Sequence, residues 1–385
     1  MMPDRSKVDL AVIGAGLAGS ACLARLHQQG FEGTTAVVEA GRGPGGRMAT
    51  RRRRENPAWR LDHGAPGLQL PEHLPDGVEQ LLRPLREQGT LRREWGWITG
   101  LDATGQMVDA PEEHSDKGAW HRGQPTMAHL CEGLLDQASP SLERNFGFRV
   151  RWLQHTGGHW LLMDDTRQTA VEARILVMSG TLLAHPRSLA MLAWPDVPLR
   201  SAIPTHQDPD LDRVLQQLAG SRAAVRWNLM LELPGEDDRN APLPRQILLT
   251  PEAQRRWQVE RVVVHPQSDG GLGVVVHGLD SGEPITPSSQ PALLKREEHR
   301  LMELLPELLK AFPVLMRQWP QARSLGVMRW GASQPLNHPL PTSLQWCMAS
   351  NIGFCGDWIE GAGFGRAEGA LRSGVALAEL LQPGA

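Results

Sequence analysis

The residues that most constrain this 385-residue chain lie in its first forty positions. VDLAVI is an apolar, β-rich run that reads as a buried parallel strand. It passes directly into Gly14-Ala15-Gly16-Leu17-Ala18-Gly19, and SACLARLHQQ follows with Ala21, Leu23, Ala24 and Leu26 at helical spacing before a stop at Gly30. TTAVVEA is a second strand that ends in Glu39, twenty residues after Gly19. Strand, GxGxxG, helix, strand and acid in this order predict a dinucleotide site. The glycines permit a tight turn and close approach to a pyrophosphate at a helix N-terminus, and Glu39 would accept the ribose hydroxyls. Glu39 also argues against a 2′-phosphate there, because like charges would meet. At this point FAD and NAD both satisfy the pattern.

The next stretch, RGPGGRMATRRRR at residues 42–54, holds six arginines in thirteen positions. Four glycines and a proline between Gly41 and Gly46 exclude a helix or strand interior. Gly45-Gly46 allows backbone forbidden to other residues and brings Arg47 toward the same pyrophosphate. The run Arg51–Arg54 has three readings: a solvated strand or turn, an attractor for an anionic substrate, or a nucleic-acid patch. The last is disfavoured because no aromatics interleave with the arginines and their surroundings are not basic.

The spacing from Glu39 to Gly45-Gly46-Arg47 resembles the E-x(5)-GGR segment of the FAD-dependent amine oxidase superfamily. GGRMATRR followed by Leu61-Asp62-His63-Gly64-Ala65 resembles renalase and its bacterial relatives in particular. The resemblance implies that Met48, His63, Gly64 and Ala65 lie along a flavin. Gln124-Pro-Thr-Met127 looks like the helix that re-enters the cofactor domain after a first excursion. The strand carrying Val150 would lie beside the adenine. Met178-Ser179-Gly180 departs from the usual small-residue or proline turn and carries no role.

Near the other end, Asn351–Trp358 reads as a strand closing in Gly356-Asp357, followed by EGAGFGRAEGALRSGVALAELL. This matches the superfamily's GDW-x(5–7)-EGA closing motif. By that resemblance Asp357 contacts the pyrophosphate–ribityl part of FAD, and the helix opening near Ala367 points at the flavin, where its dipole favours negative charge. RWGASQP at Arg329–Pro335 resembles the RW-x-x-A segment. Two motifs at opposite ends serve one cofactor only if it spans both, so FAD is favoured over NAD, held noncovalently. The candidate cofactor contacts are Gly14, Ala15, Gly16, Leu17, Ala18, Gly19, Glu39, Ala40, Arg42, Gly46, Arg47, Met48, His63, Gly64, Ala65, Val150, Gly356, Asp357 and Ala367. The resemblance covers most of residues 8–185 and 325–381.

The middle of the chain changes character. FGFRVRWLQHTGGHWLLMDD reads as a hairpin, and His155 and His159 flank its Gly-Gly turn rather than a metal. AAVRWNLMLEL, ERVVVHPQ and LGVVVHGL alternate as strands, the last two joined across SDGG. Leu301, Leu304, Leu305, Leu308 and Phe312 form one face of a core helix that Pro306 should kink. GEDDRNAPLPRQ and SGEPITPSSQP read as polar loops. The expected fold is α/β: a Rossmann-type FAD-binding domain of the p-hydroxybenzoate hydroxylase/amine oxidase type with a mixed antiparallel-sheet substrate domain. The first comprises residues 1–75, 120–190 and 320–385, and the second 76–119 and 191–319.

Composition narrows the chemistry. Net charge is −3, so no global polycation exists for nucleic acid. Cys22, Cys131, Cys347 and Cys355 form no CxxC pair and no metal spacing, which suits buried, reduced thiols of a cytoplasmic protein. A lipoprotein-like outline at the N-terminus is interrupted by Asp9, and no apolar run reaches eighteen residues. Tyrosine is absent and lysine occurs only at positions 7, 117, 295 and 310. That counts against an amine-oxidase site built from a flavin-facing lysine and a tyrosine cage. Renalase-like enzymes oxidise isomeric dihydro-NAD(P) and pass the electrons to O2 as H2O2. Such a donor gains aromaticity as hydride leaves, so positioning can replace a catalytic base. No catalytic side chain is assigned, because flavin N5 would carry the chemistry. Arg51, Arg52, Arg329 and Arg366 are candidates for an anionic substrate. An FAD enzyme acting on an amine or small apolar metabolite stays open, as does a non-catalytic flavoprotein scaffold.

Overall fold

The computed structural model describes residues 6–56, 58–94, 96–111, 118–234 and 243–381. Lys117 and most of the GEDDRNAPLPRQ loop lie outside the described residues.

The first sheet has eight strands. Its centre is parallel: Thr35–Glu39, Ser6–Ile13 and Thr169–Met178 lie side by side, with Leu10 opposite Thr35 and Ile13 opposite Met178. Glu143–Phe146 extends it beyond Thr35–Glu39, and Ile352–Phe354 pairs parallel to Thr169–Met178. The predicted hairpin, Trp152–Thr156 with His159–Met163, adds antiparallel strands. Leu10, Ala11 and Val12 are fully buried because both faces of this sheet are covered. Helices Leu17–Gln28, Asp76–Glu87, Met127–Asp136 and Ala367–Leu380 share one core on one side. Residues 183–218 close the other, together with the hairpin. A parallel strand buried on both faces must be apolar at successive positions, as LAVI is.

The second sheet has seven strands in the order Arg323–Pro335, Ala223–Leu233, Leu272–Leu279, Val259–Pro266, Gln246–Leu249, Ile98–Leu101 and Met107–Val108. All pairs are antiparallel except Gln246–Leu249 with Ile98–Leu101. Leu229, Leu231, Val274, Val276 and Val262 bury one face beneath helix Gln290–Leu308. The opposite face packs Met230, Val263 and Val275 on Trp59 and Leu61. Four stripe residues, Leu301, Leu305, Leu308 and Phe312, are buried as expected, with Leu304 packed at the edge. Pro306 falls in the helix's final turn, where it marks the end rather than a mid-helix bend.

Three placements differ from the sequence reading. Arg323–Pro335, grouped there with the cofactor domain, is the edge strand of the second sheet, because it pairs along most of its length with Ala223–Leu233. Helix Asp76–Glu87 inserts Val78, Leu81, Leu82 and Leu85 into the first domain's core rather than the second's. Val150 is not within a strand; it is buried in the segment between Glu143–Phe146 and Trp152–Thr156. All four cysteines are buried and free. No helix of the described residues is long and apolar enough to cross a membrane.

Helices Leu17–Gln28 and Ala367–Leu380 press together along small residues. A Cβ on Gly374 would stand 2.4 Å from the Ala18 carbonyl oxygen. Gly374→Val should therefore force the seam apart and cost about 1–3 kcal/mol, the usual penalty for overpacking. Urea unfolding of the variant would measure it, and an unchanged midpoint would show that the seam can yield.

Candidate dinucleotide and substrate site

The first strand ends at Ile13 and the chain turns at Gly14, whose φ of +102° only glycine adopts without strain. A Cβ on Gly19 would lie 2.2 Å from the Gly14 carbonyl oxygen, so the turn and the helix start fit together only without side chains. The loop carrying Arg47 docks against this turn: Gly45 N–H donates to the Ala15 carbonyl at 2.9 Å. A Cβ on Gly46 would come within 3.2 Å of Gly16 Cα. Glu39, at the tip of the second strand, accepts hydrogen bonds from the Ala15 and Gly41 amides at 3.0 and 2.6 Å. It thereby stiffens both loops. Leu17, Ala18 and Met48 are buried, whereas Ala40 and Arg42 are exposed.

Arg47 and Asp357 meet. The guanidinium donates two bonds of 2.6 Å to the two carboxylate oxygens, and a third of 3.2 Å to the Ser333 carbonyl. Asp357 is 5 % exposed, whereas the Arg47 side chain keeps 37 % of its surface open. Burial works against charge on Arg47, but the Asp357 carboxylate outweighs it and holds the guanidinium above its ordinary range. The Asp357 carbonyl also accepts from Gly365 N–H at 2.7 Å, which fixes the glycine turn before helix Ala367–Leu380. Gly356 is tied to that helix by Ser373, whose hydroxyl bonds both its N–H and its carbonyl.

The Asp62–Ala65 segment lies against the Arg47 loop. A Cβ on Gly64 would sit 1.9 Å from the Arg47 carbonyl oxygen, and Ala65 N–H donates to that same oxygen at 2.8 Å. The His63 ring stacks on Trp330, with centroids 5.6 Å apart. Its carbonyl accepts from Asn228 Nδ2 at 2.8 Å and Trp330 Nε1 at 3.2 Å, which fastens the second sheet to this loop. Burial lowers the His63 pKa to about 4, with Asp62 opposing and Arg51 assisting. The imidazole is therefore neutral at physiological pH, and its Nδ1 is buried without a partner.

The four arginines read as substrate candidates have separate surroundings. Arg51 donates to the Leu325 carbonyl at 2.8 Å, and Arg52 is an exposed strand residue opposite Arg60. Arg329 lies 5.4 Å from the Trp227 ring centroid, its Nε buried and unbonded. Arg366 caps the closing helix, donates to Glu368 at 3.1 Å and leaves Nη1 buried without a partner. Within the basic run, Arg53 is a structural residue: it forks onto Glu232 at 2.6 and 2.8 Å and stacks over Trp59. Arg187 escaped the sequence reading, since its segment carries no motif. Its side chain bonds the Thr181 hydroxyl, and burial with the field of Arg47 brings its pKa to about 10.

These residues fit a dinucleotide. Two glycine loops meet where a pyrophosphate would lie, the arginine beside them is partly open, and polar atoms of His63 and Arg366 lack protein partners.

Acid should weaken the fold through its imidazoles. His63 titrates near 4, and His265 and His277, buried in the second sheet, are each lowered to about 3, first by burial. The unfolded chain binds protons first as pH falls through about 6.5, so their stabilisation is complete above that pH and is lost progressively toward 3. Urea unfolding between pH 7 and 5, above the carboxylate range, should show falling stability. His277→Phe should flatten the slope. A flat wild-type profile would mean that these rings are not held neutral.

Comparison with known proteins agrees with the fold. A family profile described as an NAD(P)-binding Rossmann-like domain matches residues 12–83. The tRNA 5-methylaminomethyl-2-thiouridine biosynthesis bifunctional protein MnmC of Paraburkholderia phytofirmans is 27 % identical over 199 residues, 44 % of this chain. The match spans only 30 % of that longer protein. Among solved structures, cyclohexylamine oxidase from Brevibacterium oxydans IH-35A superposes with a TM-score of 0.62 at 15 % identity, covering 97 % of this chain and 98 % of that one. Putrescine oxidase bound to putrescine gives 0.58 at 14 % identity, with 97 % and 99 % covered. An oxidoreductase from Methanosarcina mazei gives 0.57 at 15 %, with 96 % and 100 % covered. The chain thus has a Rossmann-type dinucleotide-binding domain joined to a mixed, largely antiparallel sheet domain.

Proposed function

We propose that the chain is an FAD-dependent oxidoreductase acting on a small molecule. The observation that carries this reading is the direct pairing of Arg47 with Asp357, one from each of the two motifs assigned to a single cofactor. Bound here, FAD would supply the hydride acceptor. The glycine turn at Gly14–Gly19 would take its pyrophosphate, Arg47 would neutralise that charge, and Glu39 would receive ribose hydroxyls. His63 and Trp330, stacked and joined through the His63 carbonyl, would hold the second sheet against the loop that lines the cofactor cleft.

The hydride donor is an amine or another small metabolite on this reading, supported by the relatives whose names specify amines. A second reading, isomeric dihydro-NAD(P) as donor and O2 as the final acceptor, is favoured by the GGRMAT and DHGA segments and by the absence of tyrosine. Only the dihydropyridine donor dispenses with a base, since an amine must enter as the free base or lose its proton to solvent: the neutral His63 accepts no proton readily, and Asp62 is engaged by Thr50 and Arg122.

FAD-saturated protein should show a flavin band near roughly 450 nm that bleaches anaerobically with its donor. Arg47→Ala should weaken FAD binding roughly ten- to hundredfold, the value of about one charge-assisted phosphate contact. Bleaching by simple amines selects the first donor class, and bleaching by non-enzymatically reduced dihydro-NAD isomers selects the second. Protein that retains no flavin would overturn the proposal.

A further inference from the structure

A second recess, apart from the cofactor loops, opens between the strand Ala119–Gly123 and the strands Gln246–Leu249 and Val259–Pro266 of the second sheet. It is shallow and open to solvent, its roughly 310 Å³ of empty space including the open mouth, and Pro66, Glu94, His121, Arg122, Arg245 and His265 are among its walls. Arg122 is held rigidly: Nη2 donates to Asp62 Oδ2 at 2.8 Å and meets His265 Nδ1 at 2.9 Å. Asp62, 2 % exposed, is fixed in turn by Thr50 and the Met127 amide.

This arrangement determines the tautomer of His265. A guanidinium can only donate, so Nδ1 must be the acceptor and the proton of the neutral ring sits on Nε2. Nε2 is buried and has no hydrogen-bond partner, and His265 as a whole is 2 % exposed. Arg122 Nε is likewise a buried donor without a partner. The half-buried Arg245 adds a second guanidinium to the same wall. Arg122, Arg245 and His265 thus border one recess, and the Nε atoms of Arg122 and His265 are buried with no close hydrogen-bond partner, the Asp62 backbone acting only weakly on the His265 ring. On the other side Glu94 accepts from Gly96 N–H at 3.2 Å, and His121 turns Nδ1 to the Ala119 carbonyl at 2.9 Å.

We propose that this recess is a binding site for a small carboxylate, received by Arg122, Arg245 and the Nε2–H of His265. A planar carboxylate has two oxygens and several lone pairs, which suits a guanidinium fork flanked by a ring donor. Burial, opposed by Glu94 and reinforced by Arg122, lowers the pKa of Arg245. An added negative charge relieves this strain between neighbouring cations. The site borders Pro66, directly after the loop ending at Ala65, so a ligand there would lie beside the candidate cofactor cleft. The inference does not depend on the redox reading, because binding is measured without turnover.

The test is a titration of the full-length, ¹⁵N-histidine-labelled protein with sodium acetate at constant ionic strength, followed by long-range ¹H–¹⁵N NMR. Inorganic phosphate and methylammonium chloride are titrated in parallel. One ring Nε2–H signal should shift saturably with acetate and not with methylammonium. It should vanish in His265→Phe, and Arg245→Gln should weaken acetate at least tenfold while keeping the signal. If H265F fails to fold, H265Q, which can still accept from Arg122, supplies the assignment. No saturable acetate shift, an unchanged affinity in R245Q, or tighter binding of phosphate than acetate would each overturn the proposal. The flavin band, read separately, reports on the redox reading alone.

Discussion

The ion pair between Arg47 and Asp357 is the interaction on which the site's geometry depends. Its two members come from loops that share no secondary structure, and each loop is built from glycine turns with few side chains to hold it. A bidentate fork fixes both distance and plane, which a single contact could not do. It also sets the charge of the cleft. Asp357 is buried and satisfied, while part of the Arg47 surface stays open, so the cationic member of a neutral pair is the exposed one. Arg187, close enough to be depressed by Arg47, strengthens that polarity.

The first domain was largely legible in the sequence because its constraints are local. Glycines 14, 16 and 19 stand where a Cβ would strike backbone or a neighbouring side chain, or where two glycine loops meet. The acid at Glu39 ends a strand whose apolar run requires cover on both faces. His63–Ala65 could be placed beside Arg47 only through resemblance to a known family; the structure shows the reason, a glycine that leaves no room for a side chain above the Arg47 carbonyl. The arginine run was only half legible. Nothing in RRRR distinguishes Arg53, forked onto Glu232 and stacked on Trp59, from its exposed neighbour Arg52.

The second domain hid its chemistry for a physical reason. Val259–Pro266 and Leu272–Leu279 read as apolar strands, and the polar residues within them, Arg261, His265 and His277, look like interruptions. They fall on alternate positions, all on the face opposite helix Gln290–Leu308. That face turns toward the first domain, where Asp62, Arg122 and the His63 carbonyl meet it. The pairing of Arg323–Pro335 with Ala223–Leu233 was equally invisible, since their registers match across about a hundred residues of intervening chain.

The distance along the chain between Arg47 and Asp357, 310 positions, bears on how the molecule is made. A ribosome adding about 5–20 residues per second needs roughly 15–60 s to pass from one to the other. For that interval the glycine turn and the Arg47 loop exist without their counter-charge and without the helix that closes against Ala18. The first strand–turn–helix unit precedes its counter-charge, and the cradle is finished only by residues synthesised some 310 positions later. Completion of the dinucleotide cleft is therefore coupled to the synthesis of residues beyond 357 rather than to the folding of the segment that announces it.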